Sequence, residues 1–69
     1  MVINKKLKYI AIKPKGFKHY LWFETEKANI INYKFVGNDG WGDGGALTNI
    51  ECNESEIDSI IYSQNLQYI

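Results

Sequence analysis

Sixty-nine residues, ten of them aromatic, carry eight lysines against eight carboxylates and a single cysteine, for a formal net charge of zero. A chain of this size makes one domain and buries only about 60% of its unfolded surface, so a partner or a second copy is the expected supplement to its core. The composition excludes an internal disulfide, because Cys52 is alone, and a membrane-spanning helix, because no apolar run approaches ~18 residues.

The start of the chain is basic, but its apolar run, Tyr9 to Ile12, is short and no small-residue cleavage site follows it. No secretory signal is expected, and with a lone thiol the chain reads as cytoplasmic. Lys6–Ile12 is rich in β-branched and aromatic residues and reads as a first strand. Lys13-Pro14-Lys15-Gly16 reads as a type I turn with Pro at its second position. Phe17–Glu24 then alternates Phe17, His19, Leu21 and Phe23 against Lys18, Tyr20, Trp22 and Glu24, the period of a strand. The two strands are expected to form a hairpin across Pro14-Lys15.

Thr25-Glu26-Lys27-Ala28 reads as a second turn, and Asn29–Val36 as a third strand. The meander so formed has an expected core face of Phe17, Leu21, Phe23, Ile31, Tyr33 and Phe35. Either Ile10 and Ile12, or Leu7 and Tyr9, complete it; the first strand is apolar on both faces and its register stays open. Gly37–Gly45 holds five of the six glycines and reads as loop, with Ala46–Cys52 a short fourth strand after it. Asn53 and Glu56 have capping-box spacing, and Ile57, Ile60, Ile61 and Gln64 fall at helical intervals. That spacing predicts a helix from Glu54 to Asn65. The expected fold is therefore α+β: a three- or four-stranded antiparallel meander with one C-terminal α-helix packed on one face, residues 1–69 forming a single domain.

Charge is distributed unevenly along this order. Residues 1–36 hold all eight lysines and only Glu24 and Glu26, a formal +6; residues 37–69 hold the other six carboxylates and no base, a formal −6. Such a molecule presents surfaces that attract opposite kinds of partner.

The glycine-rich loop spells G-x-G-x-x-G at Gly40, Gly42 and Gly45, but a strand reads after it and the chain is too short for a βαβ unit. Asp39 and Asp43 fail as a calcium loop, because Trp41 stands where an oxygen ligand belongs and Ile50 where a Glu belongs. No metal and no cofactor is expected. Read plainly, the segment is a connector; read sharply, Trp41 between glycines is an exposed anchor for a partner, flanked by Asp39 and Asp43. Tyr20 and Trp22, on the face opposite the expected core, would be further anchors. The alternative use of that face is single-stranded nucleic acid, with Tyr20 and Trp22 as a stacking platform and Lys13, Lys15, Lys18 and Lys34 as the charge. The acidic second half and the lack of Arg oppose it.

Catalysis is not expected: His19, the only histidine, falls on the expected core face, and Cys52 has no partner in sequence. The function these residues favour is a small cytoplasmic protein-binding module, of the phage-type or regulatory kind, inhibiting a larger protein by occlusion. Homodimerisation through the second sheet face is a third expectation, and no membrane partner is expected.

Overall fold

The computed structural model describes residues 2–42 and 45–65, with side chains described throughout except at 38–42 and 45–48. Six strands follow in order: β1 (Tyr9–Pro14), β2 (Leu21–Glu24), β3 (Asn29–Ile31), β4 (Lys34–Gly42), β5 (Gly45–Asn53) and β6 (Ile57–Ser63). Two 3₁₀ turns, Thr25–Lys27 and Glu54–Glu56, lie before β3 and β6, and there is no α-helix among the described residues. All pairings are antiparallel. They form two three-stranded sheets, β6-β1-β2 and β3-β4-β5, joined among the described residues by the register pair Trp22–Trp41 between β2 and β4.

The expected α+β fold is thus corrected to an all-β one. The segment expected to be the helix is β6, and it pairs with β1 from Tyr9–Ser63 through Ile12–Ile60 to Pro14–Ile57. Asn53 and Glu56 do meet, Nδ2 donating to Oε1 at 2.7 Å, but only a single 3₁₀ turn follows. Three isoleucines and a tyrosine within seven residues suit a pleated surface, and an isolated helix of about 12 residues is marginal in water. Pairing with β1 satisfies the backbone groups on that side of the strand and sets Ile57, Ile60 and Tyr62 against the core.

Both sheets contribute to one core. Ile10, Ile12, Leu21, Phe23, Ala28 and Phe35 are buried, with Ile3, Ile30, Ile50 and Cys52 packed around them. The register Phe23–Ile10–Tyr62 and Leu21–Ile12–Ile60 places these side chains in rows on one face of β2-β1-β6. Ala11 and Trp22 lie between those rows on the opposite face and are also buried, so this sheet is covered on both sides.

Three more expectations change. The hairpin turn sits one residue later: the Phe17 amide donates to the Pro14 carbonyl at 3.1 Å and Gly16 takes φ +87°, the geometry of a type II turn. Pro14 itself is the end of β1, and Phe17, expected in the core, is 50% exposed. The expected third strand is broken at Asn32-Tyr33, so Ile31 and Tyr33 leave the core face and stand exposed. The glycine-rich stretch is the β4–β5 hairpin rather than a loop: Gly37 pairs with Ile50, Gly40 with Leu47, Trp41 with Ala46 and Gly42 with Gly45.

Thr25 fixes the end of β2 against the chain that precedes β1. It is buried, its amide donates to the Lys8 carbonyl at 2.9 Å, and its hydroxyl donates to the Leu7 carbonyl at 2.7 Å. These bonds tie the end of β2 to the segment that leads into β1.

Candidate functional site

The most exposed described aromatic side chain is carried on a two-residue turn. Ile31 and Lys34 close β3 onto β4, leaving Asn32 and Tyr33 as a two-residue loop with φ +52° and +63°. Positive φ at both central residues is the type I′ turn, which matches the twist of paired strands. Asn tolerates this region; a tyrosine there costs about 1–2 kcal/mol. The Tyr33 carbonyl is held by the Glu54 amide at 3.0 Å, which pins the turn against the 3₁₀ segment before β6. Backbone strain of this kind persists only where surrounding structure over-determines it, and it concentrates at functional positions.

The outcome is a small apolar prominence. Tyr33 is 84% exposed and Ile31 53% exposed. A shallow cleft of about 440 Å³ runs beside the ring, lined by Tyr33, Asn53, Glu54 and Ser55. Lys34 Nζ meets Glu51 Oε1 at 3.0 Å behind the prominence, both side chains about half exposed. An apolar projection with a charged, solvated rim has the layout of an interaction surface.

The residues singled out from sequence fare differently. Trp22 is buried, so it is not an exposed anchor, and its Nε1 finds no hydrogen-bond acceptor among the described residues. Tyr20 is half-buried; its hydroxyl shares a 2.9 Å hydrogen bond with Ser59 Oγ, and Lys13 Nζ lies 5.7 Å from its ring centre. Tyr20 and Trp22 therefore do not form an open stacking platform. Lys15 and Lys18 are exposed on the β1–β2 connection, whereas Lys34 belongs to the other sheet and is paired with Glu51. Trp41 and Asp39 have strand backbone in β4, their side chains lying outside the described residues, as Asp43 does entirely. Tyr33 and Ile31 escaped the sequence reading because period-two alternation continues through them. The available signal was Asn32, a residue that accepts positive φ.

His19, expected in the core, is exposed on the β1–β2 connection. Burial pushes the Cys52 thiol above its ordinary pKa, and the Glu56 carboxylate adds to the effect. The folded chain thus holds this proton more tightly than the unfolded chain. The contribution to stability is complete below the ordinary thiol range and drains away as pH rises through the raised value. At pH ~8 iodoacetamide is expected to modify folded Cys52 several-fold more slowly than the same thiol in urea. Equal rates would contradict its half-buried placement. Among the described residues no three His, Cys, Asp or Glu side chains converge on a metal-sized site, and no helix is long and apolar enough to cross a membrane.

Comparison with protein-family models, with curated proteins and with solved structures gives no match for this chain.

Proposed function

We propose that the protein is a protein-binding module that occludes a surface of a larger partner, with Tyr33 as its central anchor and Ile31 beside it. The observation that carries this reading is the 84% exposure of a tyrosine held at positive φ. Such a residue gives up backbone stability to project a ring that the fold itself does not use. Tyrosine is enriched among residues that dominate binding energy, and its rigid ring orders at low entropic cost. The opposite charges of the two halves of the chain would steer the encounter.

The test separates binding from folding because the two should move in opposite directions. Tyr33→Gly places the residue most tolerant of positive φ after Asn32, so the melting temperature should rise, by about 1 kcal/mol of stability. The same change should weaken partner capture by at least ~30-fold, the loss of a ~2 kcal/mol anchor. Pull-downs from nuclease-treated lysate, wild type beside Tyr33→Gly, make the measurement. A partner retained equally by both forms would refute Tyr33 as the anchor.

A second reading, single-stranded nucleic acid, is supported by Phe17, half exposed between Lys15 and Lys18 on the β1–β2 connection. It requires retention that nuclease abolishes and an affinity that falls steeply with salt.

A further inference from the structure

Two chain reversals at one end of the fold are fastened to the same three residues. The 3₁₀ turn Glu54–Glu56 holds the β3–β4 turn at its first residue, the Glu54 amide donating to the Tyr33 carbonyl at 3.0 Å. It holds the β1–β2 connection at its last residue, where the Glu56 carbonyl accepts the Lys15 amide at 2.8 Å. Phe17 follows in the turn that its own amide closes onto Pro14. Phe17 and Tyr33, remote in sequence, thus flank one short turn.

Four large apolar side chains are exposed among the described residues: Val2, Phe17, Ile31 and Tyr33. The last three belong to this end, with Ile31 closing the strand pair below Tyr33. Val2 lies further back along β3, in a recess with Asn29 and Ile30. Single exposed apolar side chains need no explanation, whereas a group of them marks an interaction surface.

We propose, building on the reading of Tyr33 as an anchor, that one protein partner seats across both turns, with Phe17 as second anchor and Ser55 between them. The charges at this end define the face that fits. Lys15 and Lys18 stand exposed on either side of Phe17. Glu54 lines the cleft beside Tyr33, and Glu56 and Asp58 are exposed after it. Lys34 is engaged by Glu51. Both signs therefore lie side by side, cations around Phe17 and carboxylates along the turn. A phosphate backbone laid across this end would gain at the two lysines and lose at the three carboxylates. A protein face can match both. It would offer an apolar hollow to each ring, acidic groups opposite Lys15 and Lys18, and basic groups opposite Glu54 and Glu56.

Photo-crosslinking tests whether one molecule touches both turns. Full-length chains carry benzoylphenylalanine in place of Phe17, of Tyr33, or of exposed Gln64 just past the far end of β6. In nuclease-treated lysate the first two should mark the same protein at adjoining sites, and the third should not. With that protein purified, Phe17→Ala should weaken binding about tenfold and leave the melting temperature nearly unchanged. Combined with Tyr33→Gly, the losses should multiply to about 300-fold, because both rings enter one complex. Ser55→Lys separates the classes of partner. On an exposed residue between the anchors it should crowd and weaken a protein complex, whereas it would tighten a polyanion. Different proteins marked from positions 17 and 33, or binding that Ser55→Lys strengthens, would overturn the proposal. Indifference to Phe17→Ala with loss on Tyr33→Gly would overturn it and leave the Tyr33 anchor standing. Indifference to Tyr33→Gly would remove both.

Discussion

Phe35→Ala is expected to leave the chain largely unfolded at room temperature. The Phe35 ring is fully buried and meets Phe23 edge-on, centroids 5.5 Å apart at an interplanar angle of 60°. Phe35 belongs to the β3-β4-β5 sheet and Phe23 to β6-β1-β2, so this contact bonds the two sheets where the strand ladder offers, among the described residues, one register pair. Emptying a site of that size costs about 3–5 kcal/mol. Marginal stability of ~0.05–0.15 kcal/mol per residue amounts to roughly 3–10 kcal/mol for a chain this long. The change therefore removes a large share of what holds the fold. Urea titration followed by circular dichroism measures it, with Phe35→Leu as the milder companion. A cooperative transition weakened by under ~1 kcal/mol would mean that the core refills the space.

Gly37→Val is the second large effect, and it works by the opposite means. Gly37 is buried within β4, and a Cβ built on it would meet one Phe23 ring carbon and two Phe35 ring carbons, each at 3.0 Å. Those atoms belong to packed rings, which cannot swing clear as a flexible side-chain end would. Valine adds two further methyl groups to the same space, and overpacking of this kind costs about 1–3 kcal/mol, here at the upper end. Shrinking a ring should recover part of the loss. In the double variant Gly37→Val with Phe23→Leu, the destabilisation should fall short of the sum of the singles by about 1 kcal/mol, as expected for neighbours that share a site. Additive costs would show that the rings already yield.

Gly37 also illustrates why sequence patterning stops short of this fold. Glycine is read as punctuation, and five of them within nine residues read as loop. In the folded chain Gly37 is a strand residue whose missing side chain makes room for two aromatic rings, information that lies across the core and not in the local pattern. Leu21, Phe23 and Phe35 were legible because alternation over a half-buried strand reflects burial directly. Ile57–Ser63 was not, because three isoleucines at those intervals satisfy a helix stripe as well as a strand, and β1, over forty residues away, decides between them. The Asn32-Tyr33 turn was hidden for want of a glycine. Trp22 was read as exposed because a small meander has a solvent face; here that face is covered, and Tyr33 and Phe17, both counted toward the core, are aromatics left outside.

β1 lies between β2 and β6, and its two neighbours are made at very different moments. β2 begins seven residues after Pro14, whereas β6 begins 43 residues after it. At ~5–20 residues per second the ribosome needs about 2–9 s to span that second interval. Throughout that interval β1 has β2 as its one strand neighbour, and a two-stranded pairing is only marginally stable in water. Ile10 and Ile12 then lack the strand that will flank them on their second side. Completion of the first sheet is thus a late, long-range event in the life of the nascent chain, and the part made earliest is the part that waits longest for its shelter.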